Sequence, residues 1–236
     1  MPADELTLLH LLQTADIDLE GRMPWSSNAT FLANLSVDGE RVGQAVYKPM
    51  RGERPLWDFE PGLHRREVAA YRLSAALGLD IVPPTVLRDG PFGEGSLQWF
   101  VDADHRQHYF TLYETRPDLH EALSVFAFFD LLANNTDRKS GHVLLDGDDH
   151  LWGIDHGLCF AADFKLRTVI WEFGDTPIPE HLVALAAQVA GDPPVTVTEL
   201  LADDEIEALC ERAVHLVADP AFPVDHTGRR YPWPLV

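Results

Sequence analysis

Between the apolar run SVFAFFDLLA and the paired apolar segments HVLLD and HLWGID, the chain inserts a polar loop, NNTDRKSG. Asp137, Arg138, Lys139 and His142 fall within six residues there, and Asp155 follows in GIDHGLCF. Segments this apolar are expected to be buried, so the charged loop must be held at one end of a core. A helix ending near Ala133 and a hairpin delivering Asp155 would bring the carboxylates of Asp137 and Asp155 to that same end. Two carboxylates about 4 Å apart repel by roughly 4 kcal/mol at an effective dielectric of 20. A divalent cation turns that repulsion into attraction, and magnesium favours one or two carboxylates together with phosphate oxygens. Phosphoryl transfer uses such a set: one Asp at the acceptor hydroxyl, another on the metal, and cations around the phosphates. The structural alternative has Asp137 closing a helix–loop turn and Asp155 capping a strand. For a lone Asp that reading is the stronger; the pairing of two, each at the end of an apolar segment, lifts the chemical one.

The missing cation stands in the N-terminal half. Lys48 ends the strand-like QAVYK, and nineteen residues on Glu67 sits early in the helical REVAAYRLS. A strand Lys braced by a helix Glu is a device for holding nucleotide phosphates. Each residue alone has a plainer role, Lys48 as a solvated strand end and Glu67 as a first-turn acid favoured by the helix dipole. Ser26, Ser27 and Asn28 precede the first hairpin and offer small polar groups and amides that could cover phosphates. No GxGxxG or GxxxxGK[ST] accompanies them, and by itself SSN is a loop.

The elements that must position these residues are legible in outline. Residues 5–13 place leucines at helical spacing. FLANLSV and RVGQAVYK alternate around Asp38-Gly39, a hairpin signal, and Pro49 removes the donor that would extend the second strand. LHRREVAAYRLSAALG reads as a helix stopped by Gly78. IVPPTVLRD and SLQWFVDAD read as two further strands around the turn DGPFGEG. Asp118 and Glu121 suggest a capping box for LHEALSVFAFFDLLA, apolar nearly all round and so a central core helix. HVLLD and HLWGID form a short hairpin turning at residues 147–149. EHLVALAAQVA and VTELLADDEIEALCERAVHLVA close the fold as two helices, and FPVDHTGRRYPWPLV is an extended tail. Strands with one helix first, then mostly helices, predict an α+β fold. It has an N-terminal antiparallel sheet lobe over 1–101, a mostly helical lobe over 102–236, and a cleft between them.

Composition narrows the partners. The 236 residues carry a formal charge of −20, from 38 acidic and 18 basic side chains. Such a field repels nucleic acid and anionic bilayers, which are bound mainly through Lys and Arg. No window of about eighteen apolar residues spans a membrane. The N-terminus lacks the basic stretch of a signal peptide, so a cytoplasmic location is expected. Cys159 and Cys210 both lie in apolar contexts and predict buried thiols rather than a disulfide. Eleven histidines could suggest a metal hydrolase, yet no HxH, HExxH or Cys/His ligand set occurs. Asp130, inside FAFFDLLA, must find donors, and the adjacent loop backbone is the expected partner.

The segments YKP, Glu67 with AAYRLSAALGLDIVPPTVL, GSLQWFV, NTDR and IDHGLCF together resemble the phosphatidylinositol 3- and 4-kinase-like superfamily. They are most similar to type II phosphatidylinositol 4-kinases and their small bacterial relatives, over about residues 26–160. The resemblance implies a two-lobed protein-kinase-like fold binding ATP and magnesium. It implies Lys48 on phosphates, oriented by Glu67, with Asp137 at the acceptor hydroxyl and Asp155 on the metal. It makes Gln98–Val101 the inter-lobe hinge, with Phe100 or Val101 lining an adenine pocket. Three departures stand out. His142 takes the place of a usual Asn: it could ligate the metal, with manganese then admissible, contact phosphate as a cation, or mark degraded catalysis. His156 stands where Phe or Asn is common, as a second layer around the metal or as a solvated side chain. The C-terminal region is short for a lipid-recognition surface. With no basic patch, the chain is expected to act on a hydroxyl of a soluble small molecule or a protein side chain. The readings from other classes are a pseudokinase, binding nucleotide without transfer, and a nucleotidyl transferase on the same fold.

Overall fold

The computed structural model describes residues 5–23 and 28–236. Helix α1 (Glu5–Thr14) precedes strands β1 (Asp16–Arg22), β2 (Phe31–Val37) and β3 (Glu40–Pro49), then helix α2 (Leu63–Ala76) and strands β4 (Thr85–Gly90) and β5 (Gly93–Trp99). These strands make one antiparallel sheet ordered β1-β2-β3-β5-β4. The β2–β3 turn is the expected one: Asp38 and Gly39 both take positive φ, 52° and 81°, which matches the twist of the flanking strands. Pro49 ends β3, and Gly78, at φ 63°, follows α2. The acidic strand β1 was not anticipated, since DIDLEGR carries too few apolar residues to signal one; pairing with β2 makes it a strand.

Helices α3 (Tyr109–Thr115) and α4 (His120–Ala133), the hairpin of β6 (Val143–Leu145) and β7 (Leu151–Gly153), and helices α5 (Glu180–Gly191), α6 (Val195–Thr198) and α7 (Asp203–Ala218) complete the chain. Three expectations are corrected here. Residues 100–104 do not continue β5, which instead starts inside the predicted turn, at Gly93. The capping box on α4 does not form, because the Asp118 carboxylate is taken by Arg116 at 2.8–3.1 Å and Leu119 holds the cap position. The long final helix is two: α6 follows Pro194, and Asp203, Asp204 and Glu205 start α7 afresh, with Glu205 accepting the Ala202 N–H at 3.0 Å. Helix α3 was missed altogether.

Two apolar cores result. Leu12 of α1 packs with Leu35, Ala45, Tyr47 and Leu97 on one face of the sheet. The larger core gathers Phe126, Phe128 and Phe129 of α4 with helices α5 and α7, and it includes Ala69, Ala70 and Leu73 of α2. Helix α2 is therefore rooted among the helices, and a buried ion pair from Arg66 to Glu205 ties it to α7. That anchoring fixes where Glu67 can point.

Candidate active site

Lys48 lies on β3 opposite Ser96, with its neighbours Tyr47 and Pro49 buried. Strand alternation turns its ammonium away from the α1 core and towards α2. The ammonium holds the carboxylate of Glu67 and donates to Asp155 Oδ1 at 2.8 Å. The second oxygen of Glu67 accepts the backbone N–H of His156 at 3.0 Å. One buried carboxylate thus links α2, β3 and the segment after β7. Gly157 makes room for it, since a Cβ there would stand 3.2 Å from Glu67 Oε1.

Asp155 is half exposed and sits at φ 60°, a strained setting for a residue with a side chain and a common one at functional positions. Its carboxyl is held well below the usual range, chiefly by Lys48. Burial opposes the charge of Lys48, but Asp155 and Glu67 outweigh it and raise the ammonium above its ordinary value. Two carboxylates on one cation leave a surplus negative charge; Glu67, the more buried of the two, is raised by desolvation.

The polar loop arrives at the same place. Asp137 receives Lys139 Nζ at 2.8 Å, and burial lifts its carboxyl above the ordinary value, with Lys139 offsetting part of the rise. His142 places Nε2 3.5 Å from Asp155 Oδ2. Its Nδ1 accepts the Lys139 backbone N–H at 3.4 Å, so the ring proton belongs on Nε2. Burial brings the ring's pKa down to about 4, and it is neutral at pH 7. Lys48, Glu67, Asp137, Asp155 and His142 are therefore brought together. Phe100 and Val101 follow β5 half-buried, with Phe100 N–H on Gln44 O at 3.1 Å. The carboxamide of Asn28 accepts the Arg54 N–H at 3.0 Å. Ser26 and Ser27 lie outside the described residues.

The framework that holds the loop was anticipated only in part. Arg138 is fully buried and binds Asp130 through three contacts of 2.9–3.1 Å. It also donates to Ile154 O at 3.2 Å and to His156 Nε2 at 2.7 Å. Asp130 does support the loop, but mainly through the side chains of Arg138, Asn135 and Thr168 rather than the loop backbone. His156 is buried, as a second layer would be and not solvated, and its Nδ1 has no partner among the described residues. Asn134, at φ 53° after α4, reaches Ala161 O and Asp163 O, both at 2.8 Å. The sequence signal for this framework was the doublet Asn134-Asn135, two amides directly after an apolar helix.

A five-stranded antiparallel sheet is thus joined to a helical region where Lys48 of β3 meets Glu67 of α2 and Asp155. The Golgi casein kinase with Mn/ADP bound superposes with a TM-score of 0.62 at 17% identity, covering 98% of this chain and 80% of that one. Hydra Fam20 with sugar gives 0.60 at 14%, over 92% and 88%. The Helicobacter pylori proinflammatory kinase CtkA gives 0.50 at 12%, over 89% and 94%. The fold is protein-kinase-like. No family model matches the chain. Its sequence is 36% identical to protein Rv2133c of Mycobacterium tuberculosis (strain ATCC 25618 / H37Rv) over 261 residues, 95% of this chain and 94% of that protein, and the chain belongs to that protein's family.

Proposed function

We propose that the chain is an ATP-dependent phosphotransferase acting on a hydroxyl group, with residues 1–101 as the nucleotide-binding lobe and 102–236 as the catalytic lobe. The observation that carries this reading is the meeting of Lys48 with Glu67 and Asp155, on the same ground as Asp137 and His142. Lys48, steadied by Glu67, binds phosphate oxygens. Asp155 keeps Oδ2 free of Lys48 and is half exposed, so it suits an ion carried in by the nucleotide. No group of three or more His, Cys, Asp or Glu side chains is arranged for a metal among the described residues. That fits magnesium, or manganese, completing its shell with phosphate and water. The bound ion would neutralise charge on the transferring group. Asp137 aligns the acceptor hydroxyl and takes its proton, and the upward shift of its carboxyl favours that role. Ser26, Ser27 and Asn28 cover phosphates, and Phe100 and Val101 line the adenine site.

The motif likeness to type II phosphatidylinositol 4-kinases supports these roles, whereas the charge of −20 argues against their anionic lipid as acceptor. No helix among the described residues is long and apolar enough to cross a membrane. We favour a soluble small molecule or protein side chain as acceptor, met in the cytoplasm. The second reading, a nucleotide-binding module without transfer, draws on His142. Ligation through Nε2 would require its proton to move to Nδ1 and the contact with the Lys139 N–H to be given up. Thermal-shift titration with ATP and magnesium or manganese, followed by ATP consumption, separates the two; stabilisation without turnover under either metal would favour the module. Label on the γ- or the α-phosphate distinguishes phosphoryl from nucleotidyl transfer.

A further inference from the structure

The polar loop presents five consecutive backbone N–H groups, and each is held by a different group. Thr136 N–H goes to Leu158 O at 3.0 Å, Asp137 to Asn135 Oδ1 at 3.1 Å, and Arg138 to Arg167 O at 3.1 Å. Lys139 goes to His142 Nδ1 at 3.4 Å, and Ser140 to Leu235 O at 2.7 Å. Four of these partners lie between residues 135 and 167. The fifth comes from a segment about 95 residues downstream that the phosphotransferase reading does not use.

That segment makes a second attachment. Thr168 N–H donates to Arg230 O at 3.1 Å, and Thr168 bridges in parallel to Arg138. Segment 230–235 is therefore tied at Arg230 to the 167–169 strip, which itself runs beside the loop carrying Asp137, and at Leu235 to that loop. Packing holds the segment in place: Pro232 is buried, Leu235 packs on the larger core, Tyr231 meets Trp171 at 6.3 Å, and Arg230 lies over Phe164 at 5.3 Å. From the opposite side His108 Nδ1 meets Ser140 Oγ at 2.8 Å, and Ser140 Oγ also accepts the Phe110 N–H at 3.1 Å. Ser140 is fully buried, so without Leu235 its N–H would have no water to turn to.

We infer that segment 230–235 is a positioning element of the catalytic loop, setting Asp137 through Ser140 and Thr168 without touching nucleotide. This rests on the phosphotransferase reading for its effect on turnover, but its structural half stands apart from it. The test uses full-length Leu235→Asp and the milder Leu235→Ala, with Leu235→Met as the conservative rescue and Val195→Ala, at a 66% exposed position outside the segment, as control. Three readouts are taken: amide hydrogen exchange at Ser140 and Thr168, affinity for magnesium-ATP, and ATP turnover. Exchange at both amides should quicken at least tenfold in Leu235→Asp, and turnover should fall at least tenfold, with ATP affinity within twofold of the parent. Leu235→Met and Val195→Ala should match the parent. Unchanged exchange overturns the inference, as does faster exchange with full turnover, or equal loss of affinity and turnover. If Leu235→Asp does not fold, Leu235→Ala decides on the same criteria. A parent that consumes no ATP defeats the phosphotransferase reading, while the exchange arm still decides the attachment.

Discussion

Lys48 Nζ and Asp155 Oδ1 meet at 2.8 Å across 107 residues of chain, and the same ammonium holds Glu67. One cation thus serves two carboxylates from different parts of the fold. Replacing it with a neutral side chain leaves both facing each other, and an uncompensated buried group costs roughly 1–3 kcal/mol. Lys48→Met should lower Tm accordingly and weaken ATP binding at least tenfold, read by thermal melting and titration calorimetry. Unchanged ATP affinity would remove Lys48 from the phosphate site.

The two loop carboxylates should separate kinetically. Asp155→Asn is expected to abolish metal-dependent nucleotide binding, since it removes the charge that an incoming ion meets. Asp137→Asn should leave binding within a few-fold while turnover falls by roughly 10²–10⁴, the range for a lost proton acceptor. Both variants turning over ATP at the parent rate would reject the assignment.

Arg138 and Asp130 form an ion pair with both side chains fully buried. Breaking such a pair by removing one partner costs about 3–5 kcal/mol. Asp130→Ala should therefore lower Tm by roughly 2–4 °C for each kcal/mol lost. Because Arg138 also fixes Ile154 O and His156, the variant should lose turnover even below its melting temperature.

His64 is buried between Glu53 Oε1 at 2.8 Å and Glu94 Oε1 at 2.9 Å, one helical turn before Glu67. Burial opposes its charge, but the two carboxylates outweigh it and its pKa is raised. Its share of stability is complete below the unfolded His value, about 6.5, and disappears as pH rises through the folded value. Glu53 is lowered to about 2, so its share is complete above about 4.5 and lost as pH falls towards 2. Melting followed from pH 6 to 9 should show a decline that His64→Gln abolishes; an identical profile in the variant would refute the assignment.

His142 offers the last comparison. Its pKa of about 4 lies below the unfolded value, so the folded state resists protonation and stability falls as pH drops from about 6.5 towards 4. His142→Asn removes that contribution and supplies an oxygen donor. It should bind magnesium-ATP more tightly relative to manganese-ATP, and an unaltered metal preference would show that His142 does not face the ion.

Local physics is what the sequence could carry. Asp38-Gly39 demands positive φ, Pro49 forbids a further ladder bond, and the periodicity around Glu67 specifies a helix; each acts within a few residues. Lys48, Glu67, Asp137 and Asp155 were therefore legible as candidates, because each lies within or a few residues beyond an element whose apolar pattern is visible. Only tertiary structure decided that Lys139 bonds Asp137, that Arg138 buries itself on Asp130, and that Leu235 holds Ser140. It also decided that Arg116 takes Asp118 away from the α4 cap, and that acidic β1 becomes a strand against β2. In each of these cases a polar group had several chemically adequate partners. Which one it met depended on how the surrounding segments pack, even where the partner stands only two residues away, as for Lys139 with Asp137 and Arg116 with Asp118.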